Sequence, residues 1–275
     1  MVSDRLVIAL DAMGGDRAPE VVIDGAEIAR ERFPNISFLM FGDQPRLEPL
    51  VQAHPKLAAV TEYRHTTQVV SGEDKPSVAL RSARESSMRL AINSVRDGEA
   101  SCVVSAGNTG ALMAIAKFVL KMLPGIDRPA ITTYYPTMRG ESCMLDLGAN
   151  VQCDADNLVQ FAVMGEVFAR TVLGIDKPTI GLLNVGVEAL KGRDEVANYL
   201  REKMAAVKNG GIPAIGEVGR INASPSTNPE GSPGVIISQQ NIVGTFWLPK
   251  LDEDGKIGSI FGCTVAPSPT SAVGP

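Results

Sequence analysis

Four polar or glycine-rich turns each follow a short apolar run and lead into a segment with helical periodicity. Their sequences are DAMGGD (11–16), SAGNTG (105–110), DLGAN (146–150) and NVG (184–186). In a doubly wound sheet, ligands bind beyond the carboxyl ends of the strands, where such turns lie. Their backbone N–H groups and their Asn, Ser and Thr side chains can donate hydrogen bonds to an oxyanion. Any one of them can equally be an ordinary strand-to-helix turn. That none of the four binds a ligand is the less favoured interpretation.

The turn at residues 105–110 is the most informative of the four. Gly107 and Gly110 have no Cβ to obstruct a ligand, and either Asn108 or Thr109 could cap the helix that begins there. The free N–H groups and the dipole of a helix N-terminus attract anions. The substrate-binding candidates across the four turns are Asp11, Gly14, Gly15, Ser105, Gly107, Asn108, Thr109, Gly110, Asp146, Asn150 and Asn184.

Lys191 lies in the segment NVGVEALKGRDE, between a strand and turn and a helix that opens with Asp194 and Glu195. A lysine in this position could neutralise a phosphate or a developing oxyanion. The alternative is a solvated loop lysine, which is the usual environment of this residue type. Composition alone favours the second interpretation.

Two basic stripes lie on predicted helices. Arg81 and Arg84 are i,i+3 neighbours, with Arg89 on the same helix, and Lys117 and Lys121 are i,i+4 neighbours on the next. Such stripes on an acidic protein could attract an acidic partner by electrostatic steering. Solvated faces of surface helices explain them equally well.

Strand-like and helical segments alternate through the first two-thirds of the chain. The strand-like runs are residues 6–10, 37–41, 100–104, 143–147 and 179–185. The helical runs are residues 19–32, 78–95, 108–122, 154–172 and 194–207. Alternation of this kind predicts an α/β fold, with a mostly parallel doubly wound sheet between two layers of helices.

Composition excludes several classes of protein. The 275 residues carry a formal net charge of -5, which disfavours a nucleic-acid partner. The longest apolar stretch, residues 111–123, is interrupted by two lysines, and no run is long enough to span a membrane. Neither a P-loop nor a G-x-G-x-x-G turn is present, so nucleotide binding by those devices is not indicated.

The cysteines and histidines indicate neither a metal site nor a disulfide framework. Four cysteines are widely scattered with no C-x-x-C pair, and His54 and His65 lie in polar, surface-like sequence. We therefore expect no metal, no cofactor and a reducing, cytoplasmic compartment.

The character of the sequence changes near residue 212. Residues 223–234 form a Pro/Ser/Gly-rich linker, and short β-like pieces follow at 235–238, 244–248 and 257–261. We expect one α/β domain over residues 1–221, followed by a separate region over residues 222–275.

An ordered set of motifs over residues 5–220 resembles the bacterial phosphate acyltransferase (PlsX) family. The set comprises DAMGGD with Ala18-Pro19, SSM (86–88), SAGNTGALM (105–113), GIDRPA (125–130), LDLGANV (145–151) and GLLNVG (181–186). Because the strings are long and occur in the family's order, chance agreement does not explain them.

The resemblance implies a fold similar to phosphotransacetylase and the isocitrate/isopropylmalate dehydrogenase group. It implies transfer of a fatty acyl group from acyl carrier protein to inorganic phosphate, giving acyl phosphate for phospholipid synthesis without nucleotide or metal. It also implies a cytoplasmic homodimer that associates peripherally with the membrane, where a membrane-bound acyltransferase is a candidate partner. Lys191 matches a catalytic-lysine position in the family's N-[IV]-G-x-E-x-x-K-G segment, with Glu188 also in place.

The resemblance ends abruptly near residue 220. The family's T/C-D-G-F-x-G-N turn, its later helices and its H-G-S-S turn are not recognisable in residues 222–275. The abrupt change favours an unrelated or frameshifted segment over strong divergence. Two further functions stay open at this point: a small-acyl phosphotransacetylase that uses acyl-coenzyme A, and a non-catalytic remnant that binds acyl carrier protein.

Overall fold

The computed structural model describes residues 6–137, 140–150, 153–176 and 178–184, together with the backbone of 218–222 and 234–238. These residues fall into two compact units that divide between Met122 and Leu123. This division is separate from the boundary after residue 221 that the sequence predicts, which stays a prediction. Each unit contains its own sheet.

The first unit contains a four-stranded sheet in the order β3-β2-β1-β4, with every pair parallel. Its strands are β1 (Leu6–Asp11), β2 (Ile36–Gly42), β3 (Thr61–His65) and β4 (Cys102–Val104). Its helices are α1 (Glu20–Arg32), α2 (Gln44–Gln52), α3 (Pro55–Ala58), α4 (Pro76–Ser82), α5 (Ser87–Arg96) and α6 (Thr109–Leu120).

Alternation of side chains along the strands gives this sheet two buried faces. Leu10, Phe38 and Met40 belong to one core cluster, which they share with residues of α1, α2 and α3. Ala9 and Leu39 belong to the opposite cluster, which they share with α5. Helix α6 packs against both α4 and α5. The predicted α/β/α arrangement is confirmed. Because the strands are parallel, the turns after β1 and β4 both lie at the carboxyl end of the sheet.

The helix predicted over residues 78–95 is in fact two helices, which corrects the sequence-based prediction. Helix α4 ends at Ser82, and α5 begins at Ser87. The break occurs because the Ser86 hydroxyl accepts a hydrogen bond from the Arg89 N–H at 3.2 Å and so caps a new helix. The apolar periodicity runs through this break and conceals it.

Three elements of the first unit have no counterpart in the prediction. Helix α2 contains Pro45 and Pro49, which sequence rules associate with breaks rather than helices. Helix α3 is only four residues long. Strand β3 reads TEYRH and lies at the edge of the sheet, so it lacks the apolar run of a buried strand.

The second unit contains a five-stranded sheet in the order β5-β6-β9-β7-β8. Its strands are β5 (Thr132–Thr137), β6 (Gly140–Leu145), β7 (Thr179–Asn184), β8 (Val218–Asn222) and β9 (Gly234–Ser238), and its helix is α7 (Ala155–Thr171). Only the β5–β6 pair is antiparallel among the described strands, so this sheet too is mostly parallel. Strand β5 was not predicted; it contains Pro136, which an edge strand tolerates.

Strand β9 lies where the sequence predicts a short β-like piece at 235–238. Its backbone pairs in parallel with both β6 and β7, in the middle of the five-stranded sheet. The predicted helix at 194–207 and the β-like pieces at 244–248 and 257–261 lie outside the described residues. Among the helices that the structure describes, none combines the length and the apolar character needed to cross a membrane.

Leu47 tests the packing of the first unit. Its side chain is completely buried in the cluster beneath α2, whereas Ile28 on α1 is 51% exposed. We expect Leu47→Ala to lower the free energy of unfolding by about 2–5 kcal/mol, because it leaves a cavity, and Ile28→Ala by less than about 1 kcal/mol. Urea unfolding measures both variants, and equal effects would contradict this description of the core.

Candidate active site

The turns after β1 and β4 are joined through one buried carboxylate, that of Asp11. The Ser87 hydroxyl donates to Asp11 Oδ1 at 2.6 Å, and the Ser105 hydroxyl donates to Asp11 Oδ2 at 2.7 Å. Asp11 ends β1, Ser87 opens α5 and Ser105 follows β4. All three residues are buried. The Asp11 side chain therefore links three segments of the chain at the carboxyl end of the sheet.

Burial also shifts the pKa of the Asp11 carboxyl. It raises the pKa of the Asp11 carboxyl above its ordinary value, because removal from water penalises the ionised form. The hydrogen bonds from Ser87 and Ser105 act in the opposite direction, as does one from the backbone of Met13. The net shift is upward, so the hydroxyl groups only partly compensate for the loss of water.

The backbones of the two turns approach closely, and glycine permits the approach. A Cβ atom on Gly14 would lie 2.5 Å from Asp11 Oδ2 and 3.0 Å from the Gly107 nitrogen. Gly15 has φ +108°, a conformation that side chains rarely adopt, and it lies against the Ala106 carbonyl. The Gly107 N–H in turn donates to the Ser105 hydroxyl at 3.1 Å. The predicted turns at 11–16 and 105–110 thus form one structure.

Helix α6 begins at this junction, and Asn108 caps it. The Asn108 side-chain oxygen accepts from the Ala111 N–H at 3.0 Å, which decides between the two predicted capping residues. Its Nδ2 group donates to the carbonyls of Ser71, Gly72 and Asp74, at distances of 2.8 to 3.1 Å. Both ends of the amide are therefore committed to structure, and Asn108 serves as a positioning residue.

The cap leaves amides at the start of α6 for another acceptor. The first N–H groups of a helix have no carbonyl partner within the helix, and Thr109 and Gly110 are the first two residues of α6. Together with the positive end of the helix dipole, these amides suit an oxyanion such as phosphate. A Cβ atom on Gly110 would lie 2.8 Å from Pro76 Cγ, so glycine is also needed here for packing against α4.

The turn at 146–150 forms a second polar cluster, within the second unit. Asp146 has φ +63°, and its Oδ1 atom accepts from both the backbone N–H and the side-chain amide of Asn150, at 3.2 and 3.0 Å. The Asn150 amide also donates to the Pro129 carbonyl. These bonds hold the turn in a tight loop after β6.

Cys153 completes this second cluster and was not among the predicted site residues. Its thiol lies 3.5 Å from Asp146 Oδ2. Burial, together with the nearby Asp146 carboxylate, raises the pKa of the Cys153 thiol to about 11. The thiol is therefore protonated at neutral pH and acts as a weak hydrogen-bond donor rather than as a nucleophile.

The structure brings most of the predicted site residues into two groups. Asp11, Gly14, Gly15, Ser105, Gly107, Asn108, Thr109 and Gly110 lie together in the first unit, and Asp146 and Asn150 lie together in the second. Asn184 ends β7, where its backbone pairs with Asn222. Lys191 lies outside the described residues. Ser87 was missed as a site residue, although it lies within the quoted SSM string, because only the fold brings it to Asp11.

Comparison with known proteins assigns the chain to a family. The model of a family described as "fatty acid synthesis protein" matches residues 6–219, which include both turns of the first unit. The chain belongs to this family.

The similar curated proteins carry a more specific name. This chain is 66% identical to a phosphate acyltransferase of Rhodospirillum centenum over 195 residues, 71% of this chain and 55% of the relative. It is 57% identical to a phosphate acyltransferase of Rhodospirillum rubrum over 212 residues, 77% of this chain and 60% of the relative. The chain thus spans little more than half the length of these relatives.

Two solved structures with a similar fold are phosphotransacetylases. The EutD phosphotransacetylase of Staphylococcus aureus matches with a TM-score of 0.60 and 15% identity, over 87% of this chain and 79% of that one. A phosphotransacetylase of Streptococcus pyogenes matches with a TM-score of 0.58 and 16% identity, over 86% and 78%. At such identities the likeness establishes the fold alone, and it confirms the predicted similarity of fold to phosphotransacetylase.

Gly14 tests the contact between the two turns. We expect Gly14→Ala to lower the free energy of unfolding by about 1–3 kcal/mol, because its new methyl group would overlap the Asp11 carboxylate. The matched control is Gly25→Ala on α1, where nothing lies within 4 Å and where alanine favours the helix by up to about 1 kcal/mol. Denaturant unfolding compares the two, and a neutral Gly14→Ala would contradict the observed contact.

Asp11 makes stability depend on pH with a definite sign. Because its pKa is raised in the fold, proton binding favours the folded state. This contribution is complete below the ordinary aspartate pKa and is lost as pH rises through the raised value. We therefore expect the stability of the wild type, measured relative to Asp11→Asn, to fall with rising pH across that window. A difference that stays constant or increases in urea titrations over the same pH range would contradict the shift.

Proposed function

We propose that this chain takes part in the transfer of a fatty acyl group from the thioester of acyl carrier protein to inorganic phosphate, which yields acyl phosphate for phospholipid synthesis. The observation that carries the proposal is the N-terminus of α6, capped by Asn108 and packed on the turn after β1. This feature suits phosphate, and the chain belongs to a fatty acid synthesis family. The phosphate acyltransferases to which it is similar supply the reaction type.

The chemistry needs only positioning and charge stabilisation. A phosphate oxygen attacks the thioester carbonyl carbon, so a C–O bond forms and the C–S bond breaks. The departing thiolate takes the proton of hydrogen phosphate and leaves as a thiol. The amides of Thr109 and Gly110 would hold the phosphate in line with the carbonyl, as catalysis by orientation requires. The reaction needs no nucleophile from the enzyme, which agrees with the structural roles of Ser87 and Ser105.

Lys191 would stabilise the negative charge that develops on the carbonyl oxygen. The support for this role is the match of Lys191 to the catalytic-lysine position in the resembled family. An ammonium group suits an oxyanion because it provides both charge and hydrogen bonds. We propose Asp146, Asn150 and Asn184 as further substrate-binding residues on the ground that their turns follow strands of a parallel sheet.

A second candidate function is that of a small-acyl phosphotransacetylase with acyl-coenzyme A as donor. The fold shared with the phosphotransacetylases favours this candidate. The relatives at 57–66% identity carry the name phosphate acyltransferase, and the motifs of that resembled family favour acyl carrier protein as the donor. A third candidate is a non-catalytic remnant that binds acyl carrier protein, and the departure of residues 222–275 from the motifs of the resembled family favours it.

The resemblance to the phosphate acyltransferase family also bears on oligomeric state, compartment and partner. We propose that the protein forms a homodimer, acts in the cytoplasm and associates peripherally with the membrane. A membrane-bound acyltransferase is a candidate consumer of its acyl phosphate, because a fatty acyl phosphate is a reactive mixed anhydride whose apolar chain favours the membrane.

Phosphate-dependent consumption of palmitoyl-acyl carrier protein tests the function. We expect acyl phosphate to form, and the rate with palmitoyl-coenzyme A or acetyl-coenzyme A to be at least tenfold lower at equal donor concentration. A higher rate with acetyl-coenzyme A would support the phosphotransacetylase instead. Binding of acyl carrier protein with no turnover at saturating phosphate would support the remnant.

Lys191→Ala tests the proposed charge stabilisation. We expect turnover to fall by about 10²- to 10³-fold while the circular dichroism spectrum stays unchanged, because a lost oxyanion partner costs about 2.7–4 kcal/mol in the transition state. The matched control is Lys56→Ala on α3, an exposed lysine on the opposite side of the sheet from α5. Turnover of Lys191→Ala close to that of the control would overturn the role.

A further inference from the structure

Charge is distributed unevenly between the helical layers of the first unit. Residues 6–74, which supply α1 to α3, contain six lysines and arginines and eleven acidic residues. Residues 75–121, which supply α4 to α6, contain seven lysines and arginines and three acidic residues. Within the helices themselves, α4 to α6 contain four lysines and arginines and no acidic residue, whereas α1 to α3 contain four lysines and arginines and five acidic residues. We call α4 to α6 the basic layer.

Two cations at the basic layer lie close to an exposed aromatic ring. The Arg89 guanidinium lies 5.5 Å from the centre of the Phe118 ring, and the Lys121 ammonium lies 4.8 Å from it. Phe118 is 54% exposed although its ring is large and apolar. Arg84 lies close enough to influence the titration of Arg89. We call Arg84, Arg89, Phe118 and Lys121 the basic patch.

The cations of the basic patch have no carboxylate partner in the part of the chain that the structure describes. Arg30, Arg64, Arg96 and Arg170, by contrast, each form an ion pair with a glutamate or aspartate. Partial burial and the like charges of Arg84 and Arg96 lower the pKa of Arg89, whereas pairing raises the pKa of Arg30 and Arg64. The basic patch thus holds charge that an incoming carboxylate could neutralise.

The basic patch shares helices α5 and α6 with the candidate active site. Arg89 is two residues from Ser87, whose hydroxyl holds Asp11. Phe118 and Lys121 belong to the end of α6, the helix whose first amides form the candidate phosphate site. Cations on an otherwise acidic chain would direct an acidic partner to this layer and away from α1 to α3.

We infer that the basic patch is a docking surface for a protein rich in Asp and Glu, with Arg89 and Lys121 pairing to carboxylates and Phe118 as the apolar anchor. The inference rests on the proposed function to the extent that this partner is the carrier of the acyl thioester. Arginine and aromatic residues are the side chains that most often dominate protein–protein interfaces.

Fluorescence anisotropy with labelled acyl carrier protein tests the docking surface. The variants are Arg89→Glu, Lys121→Glu and, as the matched control, Lys56→Glu, which reverses one exposed charge on α3, in the opposite layer of helices. We expect Kd to rise by about tenfold or more for Arg89→Glu and Lys121→Glu, and by less than about twofold for the control. Because Arg89 is partly buried, the exposed Lys121 keeps the test decisive if Arg89→Glu fails to fold.

The outcomes separate this inference from the proposed function. Unchanged Kd in the Lys121→Glu variant, or no carrier binding by the wild type, would overturn the docking surface even if acyl phosphate forms. Loss of carrier binding in the variants would support it even if the wild type shows no turnover. Binding of the wild type to phosphatidylglycerol vesicles that Lys121→Glu abolishes, with carrier binding unaffected, would assign the basic patch to a membrane and overturn the inference.

Discussion

The buried Asp11 carboxylate is the interaction on which the candidate active site depends. It accepts hydrogen bonds from Ser87 and Ser105, which come from two other segments of the chain. A buried carboxylate is costly unless its oxygens are hydrogen-bonded, so the three segments are held in one arrangement. That arrangement lets Gly14 contact Gly107 and orients the turn from which α6 begins. The amides at the start of α6 are thus placed by a contact more than ninety residues apart in sequence.

Local patterns were sufficient to predict the layers of the fold and most of its strands. The apolar runs of β1 and β2 and the periodicity of α1 and α7 reflect burial in a parallel sheet and its covering helices. Elements stabilised by their neighbours rather than by their own pattern were missed. Strand β3 is polar because it is an edge strand, and the break before α5 depends on the Ser86 cap within a continuous apolar periodicity.

The same distinction, between local pattern and contacts made by the fold, applies to the candidate active site. Gly14, Gly107 and Gly110 were recognisable because turns at strand ends have characteristic residue types. The roles of individual side chains were not, since Asn108 could as well have bound a ligand as capped the helix. Ser87 and Cys153 became visible only when the fold placed them beside Asp11 and Asp146. The role of Lys191 stays a prediction that rests on its motif.

The central claim, that the first amides of α6 bind phosphate because Asp11 orients them, is tested most directly by nuclear magnetic resonance. Inorganic phosphate would be titrated into the ¹⁵N-labelled protein while the backbone amide signals of Thr109 and Gly110 are followed. We expect saturable shifts of these two signals in the wild type, and weaker phosphate binding in Ser105→Ala. The amide signal of Gly25 on α1 is the control. If the Thr109 and Gly110 signals shift no more than the Gly25 signal at saturating phosphate, in the folded protein, the claim is contradicted.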